Sequence, residues 1–113
     1  MIVGVGVDIV QVSRLKPEHS KRVLSEEEMV VFNEIKLSQK QLEYLAGRFA
    51  VKEAIIKAIG HTNYVIGMRD ITILNDDMGM PYVKAPGYKD IKFQISLSHE
   101  KEYSVGMCVI ENV

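Results

Sequence analysis

Apolar and polar residues are arranged along this chain in patterns that predict both strands and helices. Residues 2–9 are mostly β-branched, which is typical of a buried strand. Ser25 begins a capping box that precedes a predicted helix over about 26–37. A longer helical run covers about 39–59 and ends at Gly60, in the usual position of a C-terminal cap. The remaining pattern predicts four strands in two hairpins, at 70–74, 81–84, 91–97 and 103–110.

Together these elements predict one α+β domain spanning residues 1–113, with an antiparallel sheet packed on the long helix. A chain of this length can bury roughly two-thirds of the surface that its unfolded form exposes. No internal repeat or low-complexity tract divides it.

The first predicted strand has two different faces, because successive side chains of a strand point in opposite directions. Glycine inside a strand often marks a close approach of another backbone or of a ligand. Asp8 lies at the end of the glycine-containing face, and taken alone it is best explained as the cap of a short helical turn beginning at Gln11 or Val12. One face carries Val3, Val5, Val7 and Ile9, and the other carries Gly4, Gly6 and Asp8.

A second carboxylate, Glu53, lies within the most apolar stripe of the long helix. Desolvating an unpaired carboxylate costs several kcal/mol, so Glu53 needs a cation or a proton. One explanation is an ion pair with Lys57, one turn further along the helix. The other is a site in which Asp8 and Glu53 together hold a hard cation, completed by waters and substrate phosphates. The apolar neighbours within about 60° of Glu53 are Leu42, Ala46, Phe49 and Ile56.

The strand predicted at 91–97 runs into two hydroxyls and an imidazole, Ser96, Ser98 and His99. A histidine in a hairpin turn is most often simply solvated. Its position at a strand end beside serines also suits contact with an anion.

The composition is that of an ordinary globular protein, with 47% hydrophobic and 26% charged residues and a net charge of −1. No apolar run approaches the roughly 20 residues that cross a bilayer. The N-terminus lacks a basic region and a cleavage site, so we expect a cytoplasmic protein with no membrane association. The one cysteine, Cys108, is predicted to be a small core residue rather than a zinc ligand.

The positive charge is concentrated between Ser13 and Arg22, where only Glu18 is acidic. Short basic runs are most often solvated surface. Nucleic acid is a poor fit, since the rest of the chain is neutral or acidic and has no tryptophan. An acidic protein helix fits the run better. Its four cations are Arg14, Lys16, Lys21 and Arg22.

Three sequence blocks resemble the signature of a known family. They are GVDIV at 6–10, GRFAVKEA at 47–54 followed by Lys57 and Ala58, and SLSH at 96–99. The chain resembles the short, single-repeat branch of the 4′-phosphopantetheinyl transferase superfamily, the holo-[acyl-carrier-protein] synthases. The resemblance extends from Met1 to about Val109, and the central block is its most specific part.

This resemblance implies a fold, an activity and a set of ligands. The expected reaction moves 4′-phosphopantetheine from coenzyme A to a serine of apo acyl carrier protein, with Mg²⁺ bound, and releases 3′,5′-adenosine diphosphate. The implied assembly is a homotrimer with active sites between subunits. Two alternatives are a carrier-binding module without turnover and a magnesium-dependent nucleotide hydrolase. The hydrolase would lack a P-loop.

The resemblance also implies roles for individual residues. Asp8 and Glu53 would hold the metal and Lys57 would contact the pyrophosphate. The proton acceptor is open between Glu53, a metal-bound water and a neighbouring acid. The basic run would dock the carrier's acidic helix, with Arg14 at a family arginine position. Residues implied in coenzyme A binding are Arg48, Lys57, Ser98, His99 and Pro81.

Two departures from the family pattern concern the nucleotide. Met80, in the turn before Pro81, stands where the family commonly has a lysine or arginine. Glu100 follows His99 where a small or hydroxyl residue is common, and its charge would repel a phosphate. We therefore expect weaker coenzyme A binding than in a typical member.

Overall fold

A computed structural model describes the whole chain, Met1 to Val113. It contains three helices and five strands, with short 3-10 turns at Val12–Arg14, Pro17–His19 and Met68–Asp70. The helices are α1 (Ser20–Val23), α2 (Glu26–Glu34) and α3 (Ser38–Ile59). The strands are β1 (Ile2–Gln11), β2 (Thr72–Asn75), β3 (Pro81–Lys84), β4 (Ile91–His99) and β5 (Tyr103–Asn112).

Two antiparallel sheets form from these strands. One has the order β1-β5-β4, and the other is the hairpin of β2 and β3. The long helix α3 packs across one face of the three-stranded sheet, where Val51, Ala54 and Ile55 are fully buried with Cys108 and Ile110. The predicted α+β fold, with an antiparallel sheet on a long helix, is confirmed.

Glycines let β1 approach α3 very closely. A Cβ atom on Gly6 would lie 2.0 Å from the carbonyl oxygen of Ala54, and one on Gly4 would lie 2.1 Å from that of Ala58. On the neighbouring strand, a Cβ on Gly106 would lie 2.5 Å from the Val51 nitrogen. Backbone contact of this kind excludes any side chain, so the glycine face is the one that α3 covers.

The opposite face of the sheet is apolar and exposed. Sequence analysis predicted that β1 is buried, but this is wrong for its β-branched face, which points away from α3. Its residues pair with apolar residues of β5 in the same register, Val7 with Met107 and Ile9 with Val105. The large apolar side chains exposed on this face are Val5, Val7, Ile9, Tyr103 and Met107.

The apolar stripe of α3 also differs from the prediction. Its fully buried residues include Leu45, Ala50 and Val51, whereas Phe49 and Glu53 are only partly buried. Because the helix is apolar around most of its circumference, periodicity alone does not show which face enters the core. Glu53 lies at the edge of the core rather than within it.

The predicted cap residues are confirmed at the start of α2 and at the end of α3. The Ser25 backbone N–H donates to Glu28 Oε1 at 2.9 Å, and the Glu28 N–H donates to Ser25 Oγ at 3.4 Å. The helix ends at Glu34, three residues before the predicted end. Gly60 is the C-terminal cap of α3, as predicted, and it adopts a right-handed conformation with φ of −60°.

Glu28 also belongs to a buried ion pair that the capping pattern had concealed. The Lys52 ammonium donates to Glu28 and to the carbonyl oxygens of Val23 at 2.7 Å and Met68 at 2.8 Å. Both charged side chains are 0% exposed. The second Glu28 oxygen accepts the Ile73 N–H at 2.7 Å. Burial lowers the pKa of Lys52, and the Glu28 carboxylate opposes that change.

None of the helices is both long enough and apolar enough to cross a membrane. Cys108 is fully buried in the core, as predicted, and burial raises the pKa of its thiol to about 12. The thiol therefore stays protonated near neutral pH and is a poor nucleophile.

Candidate active site

The largest cavity, about 530 Å³, lies where β1 ends against α3 and the segment before α2. Asp8 of β1 and Glu53 of α3 both line it, although 44 residues of chain separate them. Asp8 lies on the glycine face of β1, opposite Gly106, which brings its carboxylate to the helix. Two acids from distant elements thus share one cavity with the cations Arg14 and Arg22.

Lys57 pairs with Asp8 and not with Glu53. Its ammonium donates to Asp8 Oδ1 at 3.0 Å and to the Val7 carbonyl oxygen at 3.1 Å. The ion pair predicted between Glu53 and Lys57 on the helix is therefore wrong. The alternative that Asp8 caps a helical turn is wrong too, because Gln11 is the N-cap of that turn and no side chain bonds to it.

The Glu53 carboxylate has no hydrogen bond or ion pair within the chain, and this partly buried side chain lines the cavity. Only one of the two Asp8 carboxylate oxygens has a side-chain partner, because Lys57 donates to Oδ1. No group of three or more histidine, cysteine or acidic side chains is arranged so that it could hold a metal ion. Two carboxylates with free oxygens fit a hard divalent cation whose other ligands are waters and phosphates. They do not fit a cation caged by protein ligands alone.

The cationic side of this cavity comes from the basic run. Arg14 and Arg22 line it, whereas the exposed Lys16 and Lys21 lie outside the lining. His19 also lines it and was missed by sequence analysis, which treated the run only as a set of cations. Its Nδ1 accepts the Lys16 backbone N–H at 3.0 Å, so a neutral His19 carries its proton on Nε2. The only sequence signal was a histidine two residues after Pro17.

A second cavity, about 290 Å³, brings together Arg48 and His99. Arg48 is 7% exposed, its guanidinium carbon lies 4.5 Å from the Tyr44 ring centre, and its Nε has no hydrogen-bond partner. A buried, unpaired guanidinium N–H is costly, and an anion in the cavity would satisfy it. Burial raises the pKa of Tyr44, with the Arg48 cation opposing. Lys40 and Glu43 complete the charged lining.

Ser98 and Pro81 line neither cavity. Ser98 precedes His99 on β4 and is opposite Val105, so its side chain points to the exposed apolar face. Pro81 begins β3 and is opposite Asn75, which does line the second cavity. Each of the two residues is therefore a neighbour of a residue that lines the cavity, but neither lines it.

Glu100, predicted to repel a phosphate, bonds within its own turn. Its Oε1 accepts the backbone N–H groups of Glu102 and Tyr103, both at 3.0 Å. The carboxylate thereby closes the turn between β4 and β5.

The sequence is similar to those of known proteins along most of its length. The model of the 4′-phosphopantetheinyl transferase superfamily matches residues 4–108. Holo-[acyl-carrier-protein] synthase from Oceanobacillus iheyensis is 39% identical over 117 aligned positions, covering 98% of each chain. The protein of that name from a Geobacillus species is 40% identical over 120 positions, covering 100% of this chain and 99% of its own.

A solved structure is similar over the same extent. It is a holo-(acyl-carrier-protein) synthase from Bacillus anthracis in complex with coenzyme A (3′,5′-ADP). The TM-score is 0.88 at 36% identity, covering 100% of this chain and 99% of that one.

Proposed function

The chain belongs to the 4′-phosphopantetheinyl transferase superfamily, and from that membership we propose which residues carry the transfer. The protein is a transferase that moves 4′-phosphopantetheine from coenzyme A to a serine of apo acyl carrier protein. The observation that carries the assignment of residues is the meeting of Asp8 and Glu53, from distant elements, in one cavity with two arginines.

The reaction forms one bond and breaks one. The serine oxygen attacks the β-phosphorus of coenzyme A, and the bond from that phosphorus to the bridging oxygen breaks. The electron pair leaves with 3′,5′-adenosine diphosphate, and the serine proton passes to an acceptor. The Glu53 carboxylate, which no protein donor contacts, is one candidate acceptor, and a neighbouring acid is another. Such a transfer depends mainly on positioning and on neutralising charge.

The residues in and beside the cavity would have separate roles in this transfer. Lys57 lies outside the lining of the cavity, but its ammonium donates to Asp8, which lines it, at 3.0 Å and would from there contact the pyrophosphate. Asp8 and Glu53 would hold Mg²⁺, which when bound neutralises charge on the pyrophosphate oxygens. Arg14 and Arg22 surround the same cavity. With Lys16 and Lys21 beside them, they would receive the acidic helix of the carrier. A cytoplasmic location is part of this proposal.

Coenzyme A would extend from this cavity to the one lined by Arg48 and His99, whose charges suit its 3′-phosphate. In one chain, however, the two cavities open on different sides of α3. Arg48 and Glu53 are five positions apart on the helix, which corresponds to about 140° of rotation. Two copies lying side by side could present Glu53 of one and Arg48 of the other to the same ligand. This supports the proposed homotrimer with active sites between subunits.

The exposed apolar face of the sheet is where we propose that the copies meet. Contiguous apolar patches on a protein surface usually mark an interaction site. Here β1 and β5 contribute Val7 and Met107 as a cross-strand pair, both about half exposed. A second copy of the chain is the occupant that would also complete the coenzyme site.

Replacing Val7 by Glu is expected to separate the trimer into monomers with little transferase activity, because three charges would be buried without partners. Sedimentation velocity measures the assembly state. The matched control is Val30→Glu, since Val30 on α2 is 59% exposed against 57% for Val7. A Val7→Glu protein that stays trimeric, or an active monomeric parent protein, would refute the proposed interface.

One assay separates the transferase from its two alternatives. The protein is incubated with coenzyme A, Mg²⁺ and an apo acyl carrier protein, and the carrier is weighed by mass spectrometry. We expect a mass increase of one phosphopantetheine. An unmodified carrier that binds tightly would support the binding module instead. Coenzyme A cleavage without any carrier would support the hydrolase.

A further inference from the structure

Glu43 is a buried carboxylate at the floor of the cavity that contains Arg48. Its side chain is 6% exposed, whereas those of its neighbours Lys40 and His99 are 63% and 51% exposed. The Lys40 ammonium lies 3.5 Å from Glu43 Oε1, and His99 Nδ1 lies 3.9 Å from the same oxygen. One acid thus lies close to side chains of two different elements, Lys40 of α3 and His99 of β4.

A second connection joins Glu43 to the segment after His99. The Gln39 side-chain amide donates to Glu43 Oε2 at 3.2 Å and to the Lys101 carbonyl oxygen at 3.2 Å. The turn between β4 and β5 is therefore connected to α3 through Gln39 and Glu43. Both oxygens of Glu43 are used, one toward His99 and the other toward the turn that follows it.

Surface carboxylates usually remain solvated, so burying Glu43 needs a compensating role. Its position beside Lys40 and His99 would limit the motion of both side chains while leaving their exposed sides free. Arg48, the third donor of the cavity, is already fixed against the Tyr44 ring. Without Glu43, the side chains of Lys40 and His99 would be freer to move. Binding an anion would then cost more conformational entropy.

We propose that Glu43 is a positioning residue, which orients His99 and Lys40 so that together with Arg48 they bind the 3′-phosphate of coenzyme A. The inference rests on the proposed function, because it takes that phosphate to be the ligand of this cavity. Glu43 itself does not touch the reacting atoms. Its effect should appear in coenzyme binding and not in the chemical step.

The experiment compares coenzyme A with 3′-dephospho-coenzyme A as substrates. For Glu43→Ala we expect the KM for coenzyme A to rise about tenfold with kcat unchanged, since charge-assisted bonds to the phosphate weaken. The KM for the dephosphorylated substrate should change less than about twofold, because that substrate has no 3′-phosphate for Lys40 and His99 to contact. Glu43→Gln, which keeps one acceptor oxygen, should fall between Ala and the parent.

Three further variants make the result decisive. Gln41→Ala is the matched control, because the Gln41 side-chain amide on α3 also donates to a carbonyl oxygen, that of Phe32 in α2 at 2.9 Å, but lines neither cavity. Gln39→Ala removes the connection to the turn and should reproduce part of the Glu43 effect if Glu43→Ala fails to fold. Arg48→Ala tests the phosphate assignment itself. Melting temperatures are measured for all variants.

The outcomes distinguish the role of Glu43 from the assignment of the 3′-phosphate to this cavity. If Arg48→Ala loses the preference for coenzyme A over its dephosphorylated form but the Glu43 and Gln39 variants keep it, Glu43 has no positioning role. Equal losses with both substrates, or a fall in kcat alone, would overturn it as well. If Arg48→Ala also keeps the preference, the 3′-phosphate is bound elsewhere and both the assignment and the inference fail.

Discussion

Replacing Glu53 by Gln should lower kcat/KM for phosphopantetheine transfer on the order of 10³-fold while leaving the protein folded. Glu53 has no partner within the chain, so removing its charge costs little stability. The same change removes one of the two carboxylates available for a divalent cation. Transfer is measured by the mass of the carrier at saturating Mg²⁺, and folding by thermal unfolding.

The matched control is Glu26→Gln, since Glu26 is an exposed acid of α2 that lines neither cavity. Its rate should equal that of the parent. Calorimetric titration with Mn²⁺ gives a readout that is independent of turnover, and Glu53→Gln should weaken binding in the presence of coenzyme A. Near-normal transfer and unchanged Mn²⁺ binding by the Glu53 variant would disprove the metal assignment.

Asp8→Asn should also reduce transfer but through two effects. It removes the second carboxylate and weakens the contact that holds Lys57 at 3.0 Å. We therefore expect a loss at least as large as that of Glu53→Gln. This difference in local bonding is the reason that Glu53, and not Asp8, gives the cleaner test.

Sequence reasoning recovered the five strands, the two longer helices and the proximity of Asp8 and Glu53, because each depended on local or strongly patterned signals, whereas the short helix α1 was missed. The capping box marked the start of α2, and the glycines of β1 marked a close backbone approach. The blocks that contain Asp8 and Glu53 predicted that these residues act together. Their shared cavity depends on the packing that Gly6 permits between β1 and Ala54.

The partner of Lys57 could not be predicted in the same way. On a helix, Glu53 and Lys57 are four residues apart and favourably placed for an ion pair. The observed partner, Asp8, comes from a strand 49 residues away, and only the register of β1 against α3 determines that contact. The common cavity of Arg48 and His99 has the same origin, since it requires β4 and α3 to be placed together.

The buried ion pair between Lys52 and Glu28 could not be predicted from the sequence. As the last residue of a capping box, Glu28 has a complete local role in the sequence, which gives no sign of a second partner. In the structure it is also the buried partner of Lys52, between α2 and α3. An isolated carboxylate in a core would have suggested a missing cation, but a carboxylate with a local role did not.

Lys52→Met should destabilise the protein by about 3–5 kcal/mol, the second large effect that we expect, because it leaves Glu28 buried and charged without its cation. The carbonyl oxygens of Val23 and Met68 lose a donor at the same time. Urea unfolding followed by circular dichroism measures the free energy of unfolding. The control is Lys84→Met, which breaks the exposed pair with Glu27 and should change stability very little.

A double variant shows whether the charge of Glu28 causes the loss. Lys52→Met combined with Glu28→Gln should be more stable than Lys52→Met alone, since the amide keeps an acceptor for the Ser25 or Ile73 N–H without a buried charge. If Lys52→Met costs no more than Lys84→Met, the pair does not stabilise the core. Because Val23 and Met68 also line the cavity that contains Glu53, the ammonium of Lys52 fixes two walls of the active site. Lys52→Met should accordingly lose transfer activity even at temperatures where it remains folded.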